Sequence, residues 1–182
     1  YLQEKYPGNT WKTFVCMRYW KPFAHDVTKD VKKFQPHRVV LMPLYPQFST
    51  TTTDSSFCDW EKAAAKNRLT TATRRTCCYP EMRGFVESIG IQVEKTLTEM
   101  GTENTRVLFS AHGLPEFMIK EGDPYCWQVG KTVQGIIKSV EQNIDWKICY
   151  QSRVGPLAWT KPYLSEEIID AGKEGKNVLV VP

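Results

Sequence analysis

Along this chain, short runs rich in β-branched residues alternate with longer stretches that carry an apolar residue every three or four positions. The first pattern predicts strands and the second amphipathic helices. Strands are predicted at Thr13 to Tyr19, Arg38 to Leu44, Val107 to Ser110, Lys147 to Gln151 and Asn177 to Val181, mostly of the length a buried strand prefers. Met82, Phe85, Val86, Ile89, Val93, Leu97 and Met100 share one helical face, and Gly101 follows where a C-terminal cap belongs. Asp123 before Pro124 signals the start of a second helix, with Val129, Val133, Ile136, Ile137 and Val140 on one face. Ser165 with Glu166 and Glu167 opens a third, and Val27, Val31 and Phe34 mark a short one before Arg38. This alternation predicts an α/β fold of βαβ units with mainly parallel sheets. Polar, basic and proline-containing sequence from Thr70 to Pro80 separates two such blocks, so two lobes are expected, residues 1–75 and residues 76–182.

Composition narrows the class. With 41% hydrophobic and 24% charged residues over 182 positions, and a mean hydropathy of -0.42, the chain is of globular type. Its 24 basic and 20 acidic side chains leave a formal charge of +4, and the bases are scattered, so nothing points to nucleic acid. No apolar stretch approaches the roughly 18 residues of a spanning helix, and the N-terminus lacks the zones of a signal peptide. A cytoplasmic setting is expected, with peripheral membrane association left open. Cys16, Cys58, Cys77, Cys78, Cys126 and Cys149 then read as reduced thiols. The chain opens at Tyr1 in a helix-like run and stops at Pro182 on a strand-like one, so a fragment of a longer protein is expected.

In an open parallel sheet, ligands bind beyond the carboxyl ends of the strands. The segments in those places are Arg18-Tyr19-Trp20, Tyr45-Pro46-Gln47-Phe48-Ser49, Ala111-His112-Gly113-Leu114-Pro115 and Ser152-Arg153-Val154-Gly155-Pro156. They combine flat aromatic surface, arginine, hydroxyls and one imidazole, which suits a large planar apolar ligand with acidic groups. An imidazole titrates near neutrality, so His112 can accept a proton, hold a metal ion, or be satisfied by backbone at a strand end. His25 and His37 read as surface residues. A phosphate-cradling glycine loop, an HExxH zinc pair and a G-x-S-x-G elbow are all missing. No C-x-x-C pair occurs either, which leaves the cysteines as buried thiols or as ligands whose grouping spacing cannot choose.

One set of ordered motifs goes further. Phe109-Ser110-Ala111-His112-Gly113-Leu114-Pro115, Gly122-Asp123-Pro124-Tyr125, Tyr150-Gln151-Ser152-Arg153-Val154-Gly155-Pro156 and Trp159 strongly resemble the ferrochelatase family. Met17-Arg18-Tyr19-Trp20 and Leu44-Tyr45-Pro46-Gln47-Phe48-Ser49 resemble earlier segments of it in the same order, so the likeness runs over essentially the whole chain.

That resemblance implies two Rossmann-like lobes with parallel sheets, as in class II chelatases, here truncated at both ends, with a porphyrin cleft between them. It implies a lyase that inserts ferrous iron into protoporphyrin IX, the last step of haem synthesis. The Gln151-to-Pro156 stretch resembles the protoporphyrin-using branch rather than the coproporphyrin-using one. By the same likeness His112 takes a pyrrole proton, binds iron, or does both. Arg18 and Tyr19 line the porphyrin site, Tyr45 sits near the macrocycle or incoming metal, and Ser49, Gln151 and Ser152 are further substrate contacts. The acidic metal partner of the histidine is expected downstream of Pro182, and an N-terminal lip over the porphyrin upstream of Tyr1. Some members carry an iron–sulfur cluster; the animal-type ligand position falls near Thr50, which cannot serve, and Cys77, Cys78 and Cys126 remain candidate ligands. Two other readings stand beside this one: a cobalt chelatase of the same superfamily, and a non-catalytic tetrapyrrole-binding fragment.

Overall fold

Residues 1–182 are described by a computed structural model and fold as two units. The first comprises Tyr1–Tyr45 and Thr50–Cys77, the second Pro46–Ser49 and Cys78–Pro182. The chain therefore passes between units at residues 45/46, 49/50 and 77/78.

The first unit contains α1 (Leu2–Lys5), α2 (Ala24–Phe34), β1 (Val39–Leu41), a π-helical turn (Thr50–Asp54) that continues into α3 (Ser55–Lys66), and β2 (Thr73–Arg75). The strands β1 and β2 pair in parallel, Val39 opposite Thr73 and Leu41 opposite Arg75. Helix α2 forms because Ala24, Val27, Thr28 and Val31 make one buried stripe, which meets Trp60 of α3 beside Phe14, Val39, Leu41 and Leu69. Asn67, just past α3, donates to the His25 carbonyl and to Thr28 Oγ1, both at 2.8 Å, and fixes the two helices together.

Two expectations change here. Thr13 to Tyr19 is not a strand: only Met17 bridges, to Phe23, and Met17 N–H donates to the Pro22 carbonyl at 2.8 Å. Its β-branched and aromatic residues imitate a strand, but no neighbouring strand supplies a ladder, and Val15, Met17 and Tyr19 are exposed. The strand expected from Arg38 to Leu44 is confined to Val39–Leu41, just ahead of Pro43, which has no N–H to extend the ladder.

The second unit follows the βαβ pattern. It contains α4 (Arg83–Met100), β3 (Thr105–His112), α5 (Glu116–Lys120), α6 (Tyr125–Ser139), β4 (Asp145–Gln151), α7 (Leu164–Lys173) and β5 (Asn177–Val181). The three strands are parallel in the order β4-β3-β5. Val107, Phe109 and Ala111 of β3 pack with Ile148, Leu179 and Val181 under Val86, Val93 and Leu97 of α4 and Val129, Val133 and Ile136 of α6. Leu97 and Val107 are completely buried, each worth about 1.5–3 kcal/mol relative to exposure. The helices α4 and α6 approach closely because of glycine: a Cβ on Gly135 would stand 3.1 Å from Val86, and one on Gly90 would collide with Ser139 Oγ. Gly101 caps the end of α4, where its position predicts a cap, with a positive φ of 86° that glycine adopts freely.

The amino ends of these strands carry a charge network. Arg106 on β3 donates to Asp145 at 3.0 Å and to both Glu174 oxygens at 2.9 and 3.0 Å, and Lys176 completes it on Asp145. His112 lies at the opposite end of the same strand. No helix in the chain is long and apolar enough to cross a membrane.

Candidate active site

Strand β3 buries every residue from Thr105 to Ser110, half-buries Ala111, and delivers His112 to solvent. Alternation and burial thus set an imidazole at the carboxyl edge of the sheet, where a parallel sheet binds its ligand. His112 lies in register with Gln151 on β4, and the next amide, Gly113 N–H, donates to the Gln151 carbonyl at 2.8 Å. A side chain on Gly113 would stand 3.0 Å from that carbonyl and 3.3 Å from Trp159, so glycine lets the two strand ends close up. Gln151 and Ser152 are exposed beside His112, and Ser152 adopts a left-handed φ of 68°, a conformation uncommon outside glycine that turns the chain off the sheet. Beyond it, Arg153 stacks over the Tyr163 ring at 4.5 Å, and Trp159 Nε1 donates to the Val154 carbonyl at 3.0 Å.

Thr160 closes the turn after the histidine. Leu114 N–H donates to Thr160 Oγ1 at 3.1 Å, and Thr160 N–H returns a bond to the Leu114 carbonyl at 2.9 Å. On the other face of the sheet, burial pushes the Tyr125, Cys126 and Tyr150 protons up, and a hydrogen bond between Cys126 and Tyr150 raises Tyr150 further. These three are neutral at physiological pH. The Ser110 hydroxyl, two residues before His112, is buried without a hydrogen-bond partner.

The first unit carries a separate group. Arg18 Nε donates to Ser55 Oγ at 2.9 Å, and its guanidinium lies 4.8 Å from the Tyr19 ring centroid. The Tyr19 hydroxyl donates to the Thr51 carbonyl, in the π-helical turn, at 3.2 Å, while 65% of the residue stays exposed. Arg18 also lines a cavity of about 290 Å³ with Phe23, His25, Asp59, Lys62 and Lys66. Three permanent cations against one carboxylate make it attractive to an anion. Tyr45 is exposed.

Of the residues marked from sequence, His112, Gln151 and Ser152 adjoin in the second unit and Arg18 and Tyr19 in the first. Ser49 belongs to the second unit but is 1% exposed, and its hydroxyl donates to Asp123 Oδ2 at 2.9 Å. The neighbouring Gln47 Nε2 donates to Thr132 Oγ1 at 2.8 Å, and Phe48 N–H to Gln128 Oε1 at 2.7 Å. Cys78 Sγ accepts from Gln128 Nε2 at 3.6 Å, and Cys126 is engaged with Tyr150. No three His, Cys, Asp or Glu side chains are grouped to hold a metal ion. Sequence reasoning missed Ser55 and Thr160, which lie in no motif, and read Asp123 as a helix cap and as part of the Gly122-to-Tyr125 motif. The helix begins one residue later than expected, at Tyr125 with Pro124 in the cap position, and Asp123 Oδ1 accepts from Tyr125 N–H at 3.0 Å just ahead of it.

Comparison with known proteins assigns the family. A family model described as Ferrochelatase matches residues 1–182. Proteins named Ferrochelatase from Pelagibacter ubique, Caulobacter vibrioides and Rickettsia felis are 42%, 44% and 44% identical to the chain, over 100%, 97% and 93% of its length. The alignments cover 52%, 50% and 48% of those proteins, so the chain spans about half the length of the curated relatives it matches. A match along every residue, reinforced by relatives above 40% identity that share one name, places the chain in the ferrochelatase family.

Proposed function

We propose that this chain is part of a ferrochelatase, which inserts ferrous iron into protoporphyrin IX, releases two protons and yields protohaem. The observation that carries the reading is the exposed His112 at the carboxyl end of β3, in register with Gln151, in a chain of this family. Metallation requires a base for the pyrrole N–H protons and a ligand that replaces water on the iron. An imidazole provides both, one nitrogen lone pair at a time. In this reading His112 accepts the two pyrrole protons one after the other and passes each to solvent, to which it is open, and its freed lone pair is then available to the incoming ferrous ion.

Gln151 and Ser152 flank the imidazole and offer an amide and a hydroxyl to the substrate rim. Arg18 and Tyr19 receive the macrocycle in the first unit: the guanidinium pairs with a propionate and the exposed ring offers a flat apolar face. The surplus of positive charge around the Arg18 cavity supports a carboxylate-bearing ligand. Tyr45, also exposed, is assigned to the macrocycle or the metal path. The chain spans about half of its relatives' length, so the test uses both this chain and a form extended to the family's full length.

The test is anaerobic insertion of ferrous iron into protoporphyrin IX, followed through the Soret band. Turnover by the extended form, lost on His112→Ala, is the expected result. Porphyrin binding without turnover by the extended form would replace the chelatase reading with tetrapyrrole binding alone.

A further inference from the structure

We propose that Thr160 is a positioning residue for His112, holding through Leu114 the turn that sets the direction of the imidazole. The inference rests on the role just assigned to His112. Three observations carry it. Thr160 and Leu114 are both buried, 8% and 9% exposed, and exchange two hydrogen bonds, one of them through the threonine side chain. Pro115 bridges to Trp159, and Glu116 N–H donates to the Ala158 carbonyl at 2.9 Å, so residues 158–160 run antiparallel against residues 114–116. Gly113, between His112 and Leu114, is roofed by Trp159 and lies within contact distance of Thr160 Oγ1, at 3.5 Å from where a Cβ would stand.

The backbone on both sides of Gly113 is therefore fixed: Gln151 holds the Gly113 amide and Thr160 the Leu114 amide. Residue types explain the choice. A hydroxyl oxygen accepts the Leu114 N–H inside a site closed to water, where an unpaired amide is unfavourable, and a β-branched side chain restricts χ1, so the acceptor stays in place. Thr160 meets no exposed face of the imidazole and acts through the turn.

The test compares Thr160→Val, which keeps the shape and removes the acceptor, with Thr160→Ser, which keeps the acceptor. In the extended form, valine is expected to lower kcat for iron insertion about tenfold with the porphyrin KM within about twofold, since misplacement of a reacting group acts on the chemical step. Serine is expected to restore most of kcat. In the 182-residue chain, amide hydrogen exchange at Leu114 is expected to quicken in the valine variant and not in the serine variant. Wild-type kcat in Thr160→Val, or unchanged Leu114 exchange, overturns the proposal. Should valine prevent folding, Gly113→Ala strains the same turn with Thr160 intact, and an undiminished kcat there overturns it equally. Wild-type turnover tests the ferrochelatase reading by itself, and the exchange measurement needs no turnover, so the two failures are separable.

Discussion

The Ser49 hydroxyl donates to the Asp123 carboxylate at 2.9 Å, joining residues 74 positions apart, both buried. Asp123 at the same time accepts from the Tyr125 amide, so one carboxylate holds the first amide of α6 and anchors the Pro46–Ser49 segment. Sequence likeness marks Ser49 as a porphyrin contact, whereas its burial and its bond to Asp123 give it a structural task.

Ser49→Ala is therefore expected to destabilise the fold by about 1.5–3 kcal/mol, the range for a hydrogen bond to a charged group. Porphyrin affinity should change by less than about twofold. Thermal unfolding and fluorescence titration with protoporphyrin check the two halves, and a large loss of affinity in a stable variant would return Ser49 to the ligand.

His112→Ala in the extended form is expected to lower iron insertion by about 10²-fold or more, the scale of general acid–base catalysis. Porphyrin binding should persist, because Arg18, Tyr19 and Tyr45, to which the proposal assigns the macrocycle, are untouched. A Soret assay at saturating porphyrin, paired with equilibrium binding, separates chemistry from affinity.

At the amino ends of the strands, burial raises the Asp145 carboxyl, but hydrogen bonds from Arg106 and Lys176 outweigh it and hold the group below its ordinary value. Glu174 is held down chiefly by its bond from Arg106. A carboxylate with a depressed folded pKa stabilises the fold above its unfolded pKa and loses that contribution as pH falls through the folded one. Stability should therefore drop below about pH 4, and drop less in Arg106→Met, which should itself be less stable than wild type at pH 7. Urea unfolding across pH 3 to 7 in both proteins reads the difference.

Burial pushes the Cys149 thiol up to about 11, with Glu167 adding to the shift. At pH 8 it is neutral and closed to reagents, whereas Cys58 and Cys77 are exposed. Timed alkylation followed by peptide mass spectrometry should find Cys149 the last to react in the native chain. Because its folded pKa is raised, the stability tied to the neutral thiol is complete below the unfolded value and declines as pH climbs toward 11.

Sequence made β3, β4 and β5 legible because apolar β-branched runs are what a sheet covered by helices requires. The helices α4 and α6 were legible from one apolar face and a recognisable cap at one end. The strand β2 was not: Thr73, Arg74 and Arg75 are all exposed, and only pairing with β1 makes them a strand. Thr13 to Tyr19 failed in the opposite sense, having strand composition without a partner. The positions of His112, Gln151 and Ser152 at the sheet edge were legible because they end, or immediately follow, the strands β3 and β4. Thr160 was not, since its bond to Leu114 spans 46 residues and leaves no local pattern.

The docking of Pro46–Ser49 on α6 also has a meaning in time. Phe48 and its partner Gln128 are 80 residues apart, and a ribosome adding about 5–20 residues per second takes roughly 4–16 s to bridge that gap. During that interval Thr50 to Cys77 emerge while the acceptors of the four-residue segment have not yet been made. The larger unit is completed only when a loop synthesised inside the smaller one is recaptured, so nascent-chain order and native architecture run against each other at Ser49.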